Sequence, residues 1–117
     1  MTPLQNVLKL IRDTVTSSVH QDLVPEGVTE PACAVSFISV DETRVLSGDI
    51  GGTTNTFRVA VVASDDNDVK SIVETLETLD NTRNTDFSRI FSRLINWEAR
   101  ESNQPYRRAF VDVRVYQ

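Results

Sequence analysis

Apolar and polar positions follow two periods along the chain, and the switches between them lay out its elements. Leu4, Val7, Leu8, Ile11 and Val15 recur at the spacing of one helical stripe. Thr2 offers a cap, Pro3 suits the first helical position, and Gln5 stands where a capping box places it. The β-branched and serine-rich run Thr14 to Val19 weakens the helix and sets its end near Ser18. Residues 20–31 read as a loop, with Pro25 and Pro31 denying helix and Glu26-Gly27 forming a turn.

Beyond Pro31 the pattern becomes that of strands. Residues 32–40 predict a strand buried on both faces, with Val35 and Phe37 on one side and Ile38 and Val40 on the other. Residues 41–46 continue it past a bend. Residues 47–55, SGDIGGTTN, hold three of the four glycines and read as a flexible hairpin loop. Residues 56–63 form the next strand, with Phe57, Val59 and Val61 on one face. Val69, Ile72, Val73, Leu76 and Leu79 then make a second helical stripe, opened by the run Ser64 to Asp68.

Residues 87–100 fit two patterns. Phe87, Ile90, Phe91 and Leu94 keep helical spacing, whereas Leu94 to Ala99 alternate as a strand. The expectation is a helical turn at 86–90 and a strand over 92–100, with Ile95, Trp97 and Ala99 inward. After the polar turn 101–105, residues 106–116 carry the strongest strand signal, with Ala109, Val111, Val113 and Val115 facing one way. The element order predicts an α+β fold: a mainly antiparallel four-stranded sheet with two amphipathic helices packed on one face. At 117 residues, one domain over 1–117 is expected.

Composition narrows the function. Twelve basic and seventeen acidic side chains leave a net charge of −5, too acidic for capture of duplex DNA by bulk charge. The charge is uneven. Residues 1–82 hold five basic and thirteen acidic groups; residues 83–117 hold seven arginines and four acids. This division suits subunits that meet acidic surface to basic surface. A lone cysteine, Cys33, excludes an internal disulfide and reads as a small buried hydrophobe. With no signal region and no apolar run near ~18 residues, a soluble protein of a reducing compartment, with no membrane partner, is expected.

Motifs for catalysis fail on their own chemistry. Gly48, Gly51 and Gly52 have no lysine beside them and lead into a strand, so no phosphate loop is formed. Asp65, Asp66 and Asp68 lack the spacing of a calcium loop and read as a helix cap. His20 is the only histidine, which excludes a zinc set and leaves no base for a serine or cysteine nucleophile. Glu98 and Glu101 are the one acid pair worth weighing, and their place is a hairpin rim. No enzyme, cofactor or metal site is expected. Arg100, Arg107, Arg108 and Arg114, close to Trp97, Tyr106 and Phe110, are the one candidate for nucleic-acid contact. The competing reading is an arginine-bearing outer sheet face.

The whole layout resembles the tail terminator, or tail completion, proteins of long-tailed bacteriophages of lambda type. The resemblance rests on the N-terminal helix, the strand led by Pro31, and the loop Arg44 to Asp49 running into Phe57–Val62. It rests also on the helix Val69–Leu79 and the closing strand from Tyr106 to Val115. It implies a virion assembly protein that forms a hexameric ring on the head-proximal end of the tail tube. Such a ring stops polymerisation and presents the head-joining surface. The implied partners are further copies of the chain, the tail tube protein and a head–tail connector or stopper. DNA would pass through the lumen without specific binding, and acidic subunits suit such passage. Ser47, Gly48, Asp49, Ile50, Gly51 and Gly52 in the glycine loop, with Arg100, Arg107 and Arg108 in the last hairpin, are the expected interface residues. Another neck component, a tube subunit, or a small dimeric ligand-binding or regulatory domain remain as alternatives.

Overall fold

The computed structural model of the chain describes residues 2–15, 18–22, 31–44, 50–98 and 107–116. The element order is α1 (Pro3–Thr14), β1 (Ser18–Gln21), β2 (Ala32–Arg44), β3 (Ile50–Ala63), α2 (Asp66–Glu77), β4 (Arg89–Glu98) and β5 (Arg107–Tyr116). Both helices begin as their sequences demand. Thr2 Oγ1 accepts from Gln5 N, and Gln5 Oε1 accepts from Thr2 N, completing the capping box. The Asp65 side chain accepts from Asn67 N at 2.8 Å and caps α2, with Asp66 and Asp68 in its first turn.

The described strands form one five-stranded sheet in the order β1-β2-β3-β5-β4. Four pair antiparallel, as the pattern predicts. The fifth is a correction: β1 pairs parallel to β2, Ser18–Gln21 against Ala32–Val35, so the sheet is mixed. Those four residues lie where the end of the helix and a loop were expected. α1 stops at Thr14, and Val19 turns into the core instead.

One cluster forms the core. Val7, Leu8 and Ile11 of α1 and Val69, Ile72, Val73 and Leu76 of α2 meet Phe57, Val59 and Val61 of β3 and Ala109, Val111, Val113 and Val115 of β5. Phe57 and Phe87 are the largest of the fully buried side chains among the described residues. The opposite, outer face carries Arg58, Phe110, Asp112 and Arg114, so the alternation read in β3 and β5 holds residue by residue.

Three other expectations change. The stretch 86–90 is not helical: Asn84 Oδ1 accepts from Asp86 N and Phe87 N, a turn that seats Phe87 in the core just before β4 begins. Ile50 to Asn55, expected in a loop, belong to β3, where ladder bonds to β2 and β5 hold them extended. Gly51 is the residue skipped between the Thr43–Gly52 and Arg44–Ile50 pairs. β2 is buried on both faces only at Ala32 to Val35; farther on, Phe37, Ile38 and Val40 are exposed.

The cover that β1 gives β2 ends at Val35, and the sheet narrows again farther out. β5 reaches β3 only as far as Thr54, opposite Tyr116, and from there the β2–β3 hairpin continues as a two-stranded arm. The radius of gyration is 15.3 Å, against about 13 Å for a compact chain of this size. The principal extents are 56 × 24 × 23 Å, and a 14-residue strand such as β3 is about 46 Å long.

Candidate functional site

The expected interface residues fall in three places. Ser47, Gly48, Asp49 and Arg100 lie outside the described residues. Ile50, Gly51 and Gly52 form the end of the β2–β3 arm. Arg107 and Arg108 open β5, with the Arg108 guanidinium 5.4 Å from the centroid of the Phe110 ring. Arm and β5 start lie at opposite ends of the β3–β5 ladder, so these residues do not form one site.

Two other surfaces stand out, one at each edge of the sheet. On the first, β1 covers β2 only along Ala32 to Val35, and Asp22 N closes that cover by donating to the Val35 carbonyl at 2.9 Å. Past this point the outer edge of β2 meets no strand among the described residues. There Phe37, Ile38 and Val40 are exposed, Phe37 by 51% although it stacks edge-on against the fully buried Phe57. A register shift leaves Ile38 without a partner on β3. Asp41 and Glu42 follow, both exposed.

The second surface is the free side of β4. Its beginning is covered: Thr82 exchanges both backbone hydrogen bonds with Ile90, and Asp80 Oδ1 accepts from Ser92 N at 3.0 Å. The cover ends there among the described residues, and Leu94, Ile95 and Trp97 are exposed immediately beyond. A register shift leaves Ile95 without a partner on β5, as Ile38 is on β2. This corrects the expectation that Ile95 and Trp97 point inward. Trp97 stands opposite Ala109 and so faces the helix side, but at 39% exposure it is not covered by the helices. Ala99 lies outside the described residues.

Beside β4, over its ladder with β5, lies an open depression of about 510 Å³ lined by Phe91, Arg93, Ile95, Asp112, Arg114 and Tyr116. Arg58 Nε donates to Asp112 Oδ1 at 2.9 Å and Arg58 Nη2 to Asp112 Oδ2 at 3.4 Å. That hydrogen bond, and the carboxylate's charge, hold the Arg58 guanidinium above its ordinary pKa. Asp112 is thereby engaged within the outer face, which otherwise shows Arg93 and Arg114 to solvent.

The polar groups weighed for chemistry do not converge. Cys33 is fully buried, and desolvation pushes its thiol up to about 12, which makes it an inert packing residue. Among the described residues no three His, Cys, Asp or Glu side chains are placed to hold a metal ion. Glu101 lies outside the described residues. Asn6 Oδ1, His20 Nε2, Asn55 Nδ2 and Ser92 Oγ are buried without a hydrogen-bond partner among the described residues, and they sit on four different elements. No described helix is long and apolar enough to cross a membrane. The two open edges were not found from the sequence. Their signal was the pair of short apolar runs 37–40 and 94–97, which read equally as core.

No protein-family model and no curated protein matches the chain. Among solved structures it is similar to a chain from the virion of a native gene transfer agent particle. The identity is 19%, with a TM-score of 0.46 over 92% of this chain and 83% of that one.

Proposed function

We propose that the chain is a structural assembly protein of a phage-type virion. In this reading it works as a ring of copies on the head-proximal end of the tail tube, ending polymerisation and offering a surface to the head. The observation that carries the reading is the presence of two different exposed apolar surfaces on opposite edges of one sheet, Phe37-Ile38-Val40 and Leu94-Ile95-Trp97. A two-fold dimer needs one self-complementary patch, whereas a subunit in a ring needs two unlike patches, one for each neighbour. The layout that resembles tail terminators supports the same reading, as does the division of charge between residues 1–82 and 83–117.

The role is non-enzymatic, and its partners are further copies of the chain, a tail tube protein and a head–tail connector or stopper. Native mass spectrometry, alone and with purified tail tubes, tests it. The expected result is a closed ring of about six copies that binds tube ends and blocks their growth. Open-ended polymerisation would identify a tube subunit instead. A stable two-fold dimer indifferent to tubes would overturn the reading in favour of a regulatory domain.

A further inference from the structure

We propose that the two open edges are halves of one contact. Leu94–Trp97 of β4 in one copy adds as an antiparallel strand to Phe37–Val40 of β2 in the next. The inference rests on the assembly reading in taking a second copy of this chain as the partner, and goes beyond it in fixing the strands and their register.

Strand direction is the first support. β2, β3, β5 and β4 alternate in direction across the sheet, so β4 of one copy meets β2 of a like-oriented neighbour antiparallel. Side-chain faces are the second. Phe37 and Val40 stand opposite Phe57 and Asn55, and Leu94 and Trp97 opposite Val111 and Ala109, all on the helix side. Asp41 and Arg93 stand opposite Thr54 and Asp112, both on the outer side.

Only one kind of alignment satisfies these faces together. Setting Trp97 against Phe37 sets Leu94 against Val40 and Arg93 against Asp41. Two apolar pairs and one ion pair then share the faces they need. The extra residue of each strand, Ile38 and Ile95, falls between the two apolar pairs on both sides. Bulges and edge charges ordinarily block strand addition. Here a bulge meets a bulge, so the devices that exclude wrong partners admit this one.

The backbone agrees. The amide of Ser92 and both backbone groups of Ile90 point away from β5, so Leu94, two residues on, points outward as well. The Val35 carbonyl points away from β3, so Phe37 does likewise. The covers at Ser92 and at Val35 stop the ladder at either end. They leave open the stretch that the contact uses.

The register also sets the stagger between copies. Leu94 is level with Val35 of its own sheet, through Val111 and Val59, whereas Val40 is level with Asn55, four residues away along β3. Successive copies are therefore offset by about 13 Å across four strands that span about 19 Å. That ratio is a strand tilt of about 35°, within the range that closed sheets adopt. The offset is thus compatible with a ring.

Two experiments test the contact. In the first, Trp97→Glu and Val40→Glu each spoil one edge. Each variant alone should be monomeric, with the circular dichroism spectrum and cooperative melt of a folded chain. Their equimolar mixture should stop at a dimer, because only one intact pair of edges remains. In the second, the double variant Asp41→Cys, Arg93→Cys is oxidised. It should give a ladder of covalent multimers, and Asp41→Cys, Arg89→Cys at least tenfold less. Variants that assemble like the native chain, or equal cross-linking at both positions, would overturn the contact while leaving the ring reading intact. Open filaments abolished by the variants would uphold the contact and overturn the tube-capping role. Should a glutamate variant unfold, the cysteine pairs decide alone.

Discussion

Arg58 and Asp112 face each other across the β3–β5 ladder and are joined by two hydrogen bonds on the side of the sheet away from the helices. They tie β3 to β5 midway along the ladder. The pair is only partly buried, with side-chain exposures of 41% and 19%. Asp112→Ala should therefore cost about 0.5–1 kcal/mol. The loss should shrink at high salt, and Asp112→Asn should reproduce most of it. Denaturant unfolding at low and high salt measures this. A loss indifferent to salt, or absent from Asp112→Asn, would show that the charge pair is not its source.

Cys33 makes stability depend on alkaline pH. Its thiol titrates near 9.0 when free and is pushed up to about 12 by burial. The folded chain therefore keeps a proton that the unfolded chain gives up. The contribution is complete below pH 9 and is lost as pH rises toward 12, at about 1.4 kcal/mol per unit of separation. Melts of the native chain and of Cys33→Ala across this window should converge as pH rises. Parallel curves would remove the thiol from the account. A thiol reagent at neutral pH should label native Cys33 only as fast as the chain opens.

Asp80 protects the beginning of the β4 edge. Asp80→Ala leaves the Ser92 amide without its acceptor and should cost about 1 kcal/mol. Amide exchange at Ser92 should speed up strongly, while that of Val113, in the core of β5, should speed up only by the factor the global loss of stability sets. Unaltered protection at Ser92 would mean another group holds it.

Much of the fold was legible because local and long-range demands coincide. The capping box of Thr2 and Gln5, the Asp65 cap, and the alternation of Val111, Val113 and Val115 each state in a few residues what the packed structure needs. β1 was not legible, since four residues became a strand only because β2 lay alongside them. Trp97 and Phe37 misled for a related reason. Each occupies the apolar face its pattern predicts, but the helices do not reach far enough to cover it. Binary patterning reports the face of a side chain and is silent about what lies on top of it. The candidate interface was therefore hidden inside apparent core. The glycine loop and the arginine hairpin drew attention through unusual composition instead.

The two-stranded arm beyond Thr54 has a thermodynamic consequence of its own. A ribbon of two strands is marginal in water by itself, so the order of Gly52 and Thr53 rests on the Glu42–Thr43 side of the same hairpin. Hydrogen exchange should place this segment at the low end of the molecule's local stabilities, well below the β3–β5 centre. A strand added along Phe37–Val40 would brace the hairpin at its root. Folding of the arm and recruitment of a neighbour then become a single linked equilibrium, in which each newly seated copy firms the rail alongside the next.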